Sequence, residues 1–265
     1  MTRVEQPTPD YVPGHDLLTG KVVVVTAAAG AGIGAAVVRR ALEEGAKAVV
    51  FSDTHERRLA EAETALAEEF GADRVRQLVC DVTREADVQA LLDAADEFGG
   101  VDVMVNNAGL GGTTDILEMP DEEWSRVLDI TLTGTMRCTR AAGNRFVAAG
   151  TKGVIVNNAS VVGWRAQEGQ AHYAAAKAGV MALTRCAAID LAPHGIRVNA
   201  VSPSLAMHPF LEKVTTPELL VELKGREVFG RAAAPWEVAN VMVFLASDYS
   251  SYMTGEVVSV SSQHA

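Results

Sequence analysis

Two kinds of apolar stretch alternate along most of the chain. Short β-branched runs, of which residues 22–26 (VVVVT) are the clearest, lack polar positions, as expected for strands buried on both faces. Longer amphipathic stretches separate them, and the first, residues 34–45, ends at a glycine. Strands are predicted at residues 22–26, 48–52, 75–80, 101–105, 154–157, 196–201 and 255–260. Helices are predicted at residues 34–45, 55–70, 84–98, 121–149, 173–192 and 235–247.

This alternation predicts an α/β fold with a doubly wound, mostly parallel seven-stranded sheet and helices on both faces. No linker interrupts residues 21–260, so we expect a single domain over residues 1–265. Residues 1–17 are polar and are expected to form a loose leader. Residues 204–231 have weak periodicity, with Pro203 just before them and Pro209 and Pro217 within them. They are expected to be an inserted substrate loop that acts as a lid.

Charge and cysteine content exclude several functional classes. The formal net charge of −11 argues against nucleic-acid and anionic-membrane partners. No apolar run approaches the length of a membrane helix, and the N-terminus lacks the apolar core of a signal peptide. Cys80, Cys138 and Cys186 are far apart and form no metal-binding spacing. We therefore expect no metal site and a reducing cytoplasmic location.

A glycine-rich stretch joins the first predicted strand to the first predicted helix. Residues 26–34 (TAAAGAGIG) place Gly30, Gly32 and Gly34 where a backbone could approach a pyrophosphate at a helix N-terminus. The stretch does not match G-x-G-x-x-G, so a simple tight turn is the alternative. Asp53 ends the second strand, where an acid accepts hydrogen bonds from the adenosine ribose of NAD and repels the 2′-phosphate of NADP.

Chemistry is indicated by Ser160, Tyr173 and Lys177. Tyr173 and Lys177 are four residues apart in an Ala-rich stretch, which places both on one helix face, and Ser160 ends an apolar strand. An ammonium beside a phenol is expected to lower the pKa of the phenol, which could then exchange a proton with an alcohol or carbonyl oxygen. The serine hydroxyl could polarise the same oxygen. The alternative is an ordinary Tyr/Lys pair on a helix surface.

The chain resembles the short-chain dehydrogenase/reductase family, of the oxoacyl-reductase-like type, from residue 18 to the C-terminus. The resemblance rests on the glycine loop, NNAG at residues 106–109, the Ser160, Tyr173 and Lys177 spacing, and IRVNAVSP at residues 196–203. It implies a Rossmann-type sheet, a nicotinamide cofactor, an acid/base tyrosine, and a lysine that binds the nicotinamide ribose. Thr131 stands where the family has a catalytic asparagine, and Ala28 where it has the first loop glycine.

The resemblance supplies a full set of expected site residues. The catalytic residues expected are Ser160, Tyr173, Lys177 and Thr131. Residues expected to contact the cofactor, NAD rather than NADP, are Gly30, Gly32, Ile33, Gly34, Asp53, Asp81, Val82, Asn107, Ala108, Gly109, Tyr173, Lys177 and Pro203. Residues expected to contact substrate are Ser160, Trp164, Arg165 and His208.

A finer resemblance concerns the substrate. The stretches at residues 26–34, 160–167, 172–186, 202–206 and 259–264 are similar to an actinobacterial steroid-catabolic branch of the family. Its members act on hydroxy- or oxo-methylhexahydroindane carboxylates carried as CoA thioesters. This implies a small-molecule substrate that is bulky and CoA-linked, and a homotetramer. A 3-oxoacyl-thioester reductase and a non-catalytic nucleotide-binding regulator remain alternatives.

Overall fold

The structure is a computed structural model that describes residues 5–207 and 217–262, without the side chains of residues 217–219. The strands are β1 (Val22–Val25), β2 (Ala48–Asp53), β3 (Val75–Val79), β4 (Val103–Asn106), β5 (Val154–Asn158), β6 (Arg197–Pro203) and β7 (Val257–Val260). The helices are α1 (Ile33–Glu43), α2 (Glu56–Phe70), α3 (Glu85–Asp96), α4 (Asp121–Leu128), α5 (Gly134–Ala149), α6 (Ala171–Leu191), α7 (Pro217–Arg226) and α8 (Pro235–Ala246).

All seven strands form one parallel sheet in the order β3-β2-β1-β4-β5-β6-β7. The predicted doubly wound α/β fold is confirmed, and β7 lies at the predicted sheet edge. The strand order reverses between β1 and β4. Ligands of such sheets bind at this point, outside the carboxyl ends of the strands.

The sheet is covered on both faces, which explains the uninterrupted apolar character of β1. Val23 and Val25 point into a core shared with α1, α2 and α8. Val22 and Val24 point into the opposite core, shared with α3, α5 and α6. Because neighbouring side chains of a strand face opposite sides, a strand between two helical layers needs apolar residues at every position.

The predicted helix over residues 121–149 is interrupted. A π-helical turn, Asp129–Thr133, joins α4 to α5, and the Gly134 amide donates to Asp129 O, five residues back. Gly134 allows close packing here, because a Cβ at this position would lie 2.6 Å from Val82 Cγ2. Such π turns are frequent at functional sites.

The N-terminal segment is less loose than predicted. The Tyr11 ring packs edge-on against Trp236 with 5.3 Å between ring centroids, and its hydroxyl bonds the Glu43 carboxylate. The Glu44 carboxylate accepts from the backbone N–H groups of His15 (2.7 Å) and Leu17 (3.1 Å). A polar sequence can therefore lie fixed on the surface when buried carboxylates satisfy its backbone. No helix within the described ranges is long and apolar enough to cross a membrane.

Candidate active site

The glycine loop is fastened to the sheet at the point where the strand order reverses. The Thr26 hydroxyl, at the end of β1, accepts from the backbone N–H groups of Asn107 and Ala108, both at 3.0 Å. The Asn107 side-chain amide donates back to Thr26 O (3.2 Å) and Ala27 O (2.9 Å). These bonds fix the start of the loop although Ala27 adopts a left-handed φ of 54°.

The predicted glycines have two different roles in the structure. A Cβ on Gly32 would meet nothing within 4 Å, and one on Gly30 would approach only Gly32 N, at 4.0 Å. A Cβ on Gly34 would lie 2.5 Å from both Ala27 O and Asn107 Nδ2. Gly34 is therefore needed for packing, whereas open space lies beside Gly30 and Gly32.

That open space suits a pyrophosphate. It borders the N-terminus of α1, where Ile33 is the first residue, Gly32 provides no side-chain cap and the first turn holds no acid. Uncapped N–H groups at a helix N-terminus attract an anion. The loop therefore fits the diphosphate of a nicotinamide dinucleotide, as predicted from the sequence.

Two acids follow the ends of neighbouring strands. Asp53 ends β2, and its carboxylate accepts from Ala29 N–H of the glycine loop (3.3 Å) and from His55 N–H (3.2 Å). Its position beside the loop is the one predicted for contact with the adenosine ribose. Asp81 follows β3, and its Oδ1 is occupied by the backbone N–H (2.9 Å) and hydroxyl (2.8 Å) of Thr83.

Ser160, Tyr173 and Lys177 converge beyond the end of β5. Ser160 caps a short 3₁₀ turn, and its hydroxyl hydrogen-bonds with the Tyr173 phenol. Lys177 is only 2 % exposed, and its Nζ lies 5.5 Å from the centroid of the Tyr173 ring. The Lys177 ammonium donates to Asn158 O at 2.5 Å. The predicted convergence of a strand end with one face of a helix is present.

The pKa of Tyr173 differs from the expectation. Burial raises the pKa of Tyr173 to about 12, and the hydrogen bond from Ser160 opposes that rise. Burial also lowers the pKa of Lys177 to about 7. The sequence predicted that the lysine charge would lower the tyrosine pKa. That prediction omitted desolvation, which disfavours both charged forms.

A glycine-rich wall, defined here as residues 109–112, lies against the side chains of Tyr173 and Lys177. A Cβ on Gly109 would lie 3.4 Å from Lys177 Nζ, and one on Gly111 would lie 3.7 Å from the Tyr173 ring. Small residues in this wall bring the backbone close to the tyrosine and lysine, leaving little room for their rearrangement.

Thr131 holds this wall in place. Its hydroxyl accepts from Leu110 N–H (3.0 Å) and donates to Leu110 O (3.1 Å). Thr131 is fully buried in the π turn. Its single O–H is thus used on the wall, and the catalytic role expected from the resemblance stays a prediction.

Trp164 and Arg165, predicted to contact substrate, follow Ser160 in the chain, and Pro203, predicted to contact the cofactor, ends β6. Trp164 is exposed. Burial lowers the pKa of Arg165, which lies near the charges of Glu227 and Arg226. Pro203, the last residue of β6, pairs with Val260 of β7. The predicted contact His208 lies outside the described residues.

The sequence interpretation missed three polar residues around the site. Asn158 Nδ2 donates to Asn107 Oδ1 at 2.9 Å. His172, fully buried beside Tyr173, lies with Nε2 3.2 Å from Glu123 Oε1. The available signal was the placement of polar residues directly after apolar strands, as in NN at residues 157–158.

A dinucleotide-binding sheet with a serine, a tyrosine and a lysine at its carboxyl edge defines a nicotinamide-dependent oxidoreductase. The chain belongs to the short-chain dehydrogenase/reductase family. A family model described as enoyl-(acyl carrier protein) reductase matches residues 27–262.

Relatives agree with this assignment over nearly the whole chain. The chain is 62% identical over 257 residues, 97% of each sequence, to (5R,7aS)-5-hydroxy-7a-methyl-1-oxo-2,3,5,6,7,7a-hexahydro-1H-indene-carboxyl-CoA reductase of Mycobacterium tuberculosis. It is 37% identical to 3-oxoacyl-[acyl-carrier-protein] reductase FabG of Vibrio cholerae, covering 92% of this chain and 96% of that one. A crystal structure of a short chain dehydrogenase from Mycobacterium smegmatis is 58% identical, with a TM-score of 0.86, and the match covers 98% of this chain and 99% of that one.

Proposed function

We propose that this protein is an NAD-dependent oxidoreductase for a secondary alcohol or ketone on a fused-ring, CoA-linked substrate. The observation that carries the proposal is the convergence of Ser160, Tyr173 and Lys177 beside the glycine-rich wall. Ser160 follows β5, and a single strand, β4, lies between β5 and β1, after which the glycine loop begins. When bound, the nicotinamide cofactor supplies or accepts the hydride. The protein must then deliver or remove one proton at the substrate oxygen.

Tyr173 is the proposed acid/base. With a pKa of about 12, its phenol is protonated near neutral pH, the form required to give a proton to a carbonyl oxygen during reduction. Ser160 shares a hydrogen bond with the same phenol and is placed to hold the substrate oxygen. Lys177 is proposed to bind the nicotinamide ribose. The ribose hydroxyls would then accept hydrogen bonds from the buried ammonium, in place of the water that burial excludes.

The cofactor choice follows from Asp53. Its carboxylate faces the glycine loop through Ala29 N–H, so a 2′-phosphate on the adenosine ribose would meet a negative charge. Nearby Arg57 does not offset that charge, because it pairs with Glu61 at 3.0 Å on the exposed side of α2. We therefore propose NAD as the cofactor in preference to NADP.

The proposed substrate class comes from the relative that is 62% identical, whose name specifies a hydroxy- and oxo-substituted methylhexahydroindene carboxyl-CoA. Two side chains of this chain support it. Trp164 offers an exposed aromatic face for a fused ring, and Arg165 offers a guanidinium for a carboxylate or for CoA phosphates. His208 is proposed to complete this wall.

Turnover of the candidate substrates tests the proposal. Purified protein is mixed with hydroxy- or oxo-methylhexahydroindane carboxyl-CoA and with NAD, NADH, NADP or NADPH, and the reduced nicotinamide is followed by absorbance. We expect turnover with the CoA thioester and the non-phosphorylated cofactors, and much slower turnover with the free acid. No turnover with any pairing, together with tight NAD binding, would instead favour the non-catalytic regulator.

A 3-oxoacyl-thioester reductase is the second candidate, supported by the 37% identity to FabG of Vibrio cholerae. The same assay separates the two candidates when a linear 3-oxoacyl thioester is added as a competing substrate. A higher kcat/KM for the linear thioester with NADPH would favour the second candidate.

We further propose one domain, a homotetramer and a cytoplasmic location. The edge strand β7 is accompanied by the exposed aromatic residues Tyr249 and Tyr252, and α6 exposes Ile189, surfaces that a second copy could cover. Cys80, Cys138 and Cys186 are all free, which suits a reducing compartment. A stable monomer in light scattering at micromolar concentration would contradict the assembly.

A further inference from the structure

A series of hydrogen bonds through Asn107 and Asn158 connects the glycine loop to Lys177. Asn107 Nδ2 donates to Ala27 O of the loop at 2.9 Å. Asn158 Nδ2 donates to Asn107 Oδ1 at 2.9 Å. The carbonyl oxygen of the same Asn158 accepts from Lys177 Nζ at 2.5 Å. Asn158 therefore contacts Asn107 through its side chain and Lys177 through its backbone carbonyl.

Asn158 lies where the sheet loses its regular pairing. Backbone pairing between β4 and β5 ends at Asn106 and Asn157, whereas pairing between β5 and β6 continues to Asn158 and Val201. On the β4 side, the amide–amide bond between Asn158 and Asn107 joins the two strands beyond that last pair. Asn158 is also the residue whose backbone carbonyl accepts the hydrogen bond from Lys177.

Both ends of this series are tightly packed. At the loop end, the Asn107 amide packs closely against the start of α1, because a Cβ on Gly34 would lie 2.5 Å from Asn107 Nδ2. At the other end, Lys177 is buried, and a Cβ on Gly109 would lie 3.4 Å from its Nζ. Both the Asn107 amide and the Lys177 ammonium are therefore confined by their surroundings.

Stability alone gives a poor reason for an amide at this position. Asn158 Oδ1 is buried and has no hydrogen-bond partner within the described ranges. An unpaired buried carbonyl costs about as much as one good hydrogen bond contributes. An apolar side chain would avoid that cost but would remove the bond to Asn107 Oδ1, so the contact with Asn107 is what the Asn158 side chain contributes.

We propose that Asn158 is a positioning residue that sets Lys177 relative to the dinucleotide loop. Cofactor binding at the loop and correct placement of the lysine are then coupled through Asn107 and Asn158. The inference rests on the proposed function, in which Lys177 binds the nicotinamide ribose. It adds a specific residue and a physical connection between the two ends of the cofactor.

The test compares Asn158→Leu with Asn199→Leu. Leucine shares the branching of asparagine at Cγ, is somewhat larger, and removes the Nδ2 donor. Asn199 is a fully buried amide on the adjacent strand β6, bonded to Met253 O (2.8 Å) and Glu256 N–H (3.1 Å), so it is a matched structural control. Three quantities are measured: melting temperature, NAD affinity by calorimetry, and the Lys177 titration in the cofactor-free protein by NMR of labelled lysines.

We expect Asn158→Leu to weaken NAD binding roughly threefold to tenfold, the equivalent of one hydrogen bond. We expect the Lys177 titration to move upward from about 7, because a lysine without its fixed place reaches solvent and keeps its charge more readily. Asn199→Leu should lower the melting temperature and leave both other quantities unchanged. If Asn158→Leu does not fold, Asn158→Ala is measured with the same expectations.

Three outcomes are distinguished. An Asn158 variant with wild-type NAD affinity and an unchanged Lys177 titration would overturn the positioning role, whatever its melting temperature. An equal effect of Asn199→Leu on NAD affinity and on the Lys177 titration would also overturn it, because the effect would then be a general loss of structure. Failure of the wild-type protein to bind NAD would instead refute the proposed function.

Discussion

Gly34→Ala should destabilise the protein before any ligand is added. The new Cβ would lie 2.5 Å from Ala27 O and from Asn107 Nδ2, and 3.1 Å from Ala28 Cα. These are backbone atoms or an amide held by two hydrogen bonds, to Thr26 O and Ala27 O, so they cannot simply rotate away. Ala27, whose carbonyl oxygen would clash with the new Cβ, is already in a left-handed conformation.

The size of the effect is set by two opposing contributions. Overpacking a filled site costs about 1–3 kcal/mol. Replacing glycine by alanine inside a helix contributes about 1 kcal/mol of stability, and less at the second residue of α1. The steric cost prevails, giving a net loss of about 1–2 kcal/mol and a fall in melting temperature of roughly 2–8 °C for a chain of this size.

The assay is thermal unfolding of the cofactor-free protein, with Gly30→Ala as the control. A Cβ on Gly30 would meet nothing closer than 4.0 Å, so this variant should melt close to wild type. Gly32→Ala supplies a second comparison, because its methyl would enter the open space at the start of α1 and weaken NAD binding. A Gly34→Ala protein that melts with the wild type would refute the close-packing account of the glycine loop.

Four further expectations test the site. Tyr173→Phe should lower kcat by roughly 10²–10⁴, the range of general acid–base catalysis, while NAD affinity measured by calorimetry is retained; a near wild-type rate would exclude the tyrosine as the proton donor. Asp53→Ala should raise kcat/KM for NADP relative to NAD by removing charge repulsion, and a wild-type preference for NADP would contradict this reading. Thr131→Ala should cost less activity than Tyr173→Phe and be largely rescued by serine, since the hydroxyl serves Leu110; a loss as complete as that of Tyr173→Phe would make it a full catalytic residue. Hydrogen exchange in α7 should slow when NAD and substrate bind together, if residues 204–231 act as a lid, and slow exchange unaffected by ligands would indicate a fixed wall.

The elements that the sequence predicted well are those governed by burial. All seven strands fall within a few residues of their predicted positions, because continuous β-branched runs are incompatible with an amphipathic helix. Local rules were sufficient for the strands. For Ser160, Tyr173 and Lys177, the helix spacing and the strand end made a common site possible, and the resemblance to the family was needed to expect it.

The features that were missed depend on distant partners. The π turn that holds Thr131 lies in a segment that the sequence predicts as one continuous helix, and neither the Gly134 N–H bond to Asp129 O nor the bonds of Thr131 to Leu110 can be read from the residue pattern. The raised pKa of Tyr173 reflects desolvation in the folded protein, which residue spacing does not reveal. The contacts of Tyr11 with Glu43 and Trp236 likewise join segments far apart in the sequence.

The buried amides at the centre of the sheet also bear on how the chain folds. β4 (VMVN) and β5 (VIVNN) carry nearly the same apolar pattern, so displacing one strand by two residues would still pair a valine with a valine, Val103 with Val156 or Val105 with Val154. Only the aligned register lets Asn106 Nδ2 donate to Asn157 Oδ1 at 2.8 Å, while Asn157 Nδ2 donates to Thr184 Oγ1 at 2.9 Å. A displaced pairing would bury amides without partners, at about 1–3 kcal/mol each. These polar groups therefore select one alignment of two strands that lie 51 residues apart in the chain, a choice the valines alone leave open.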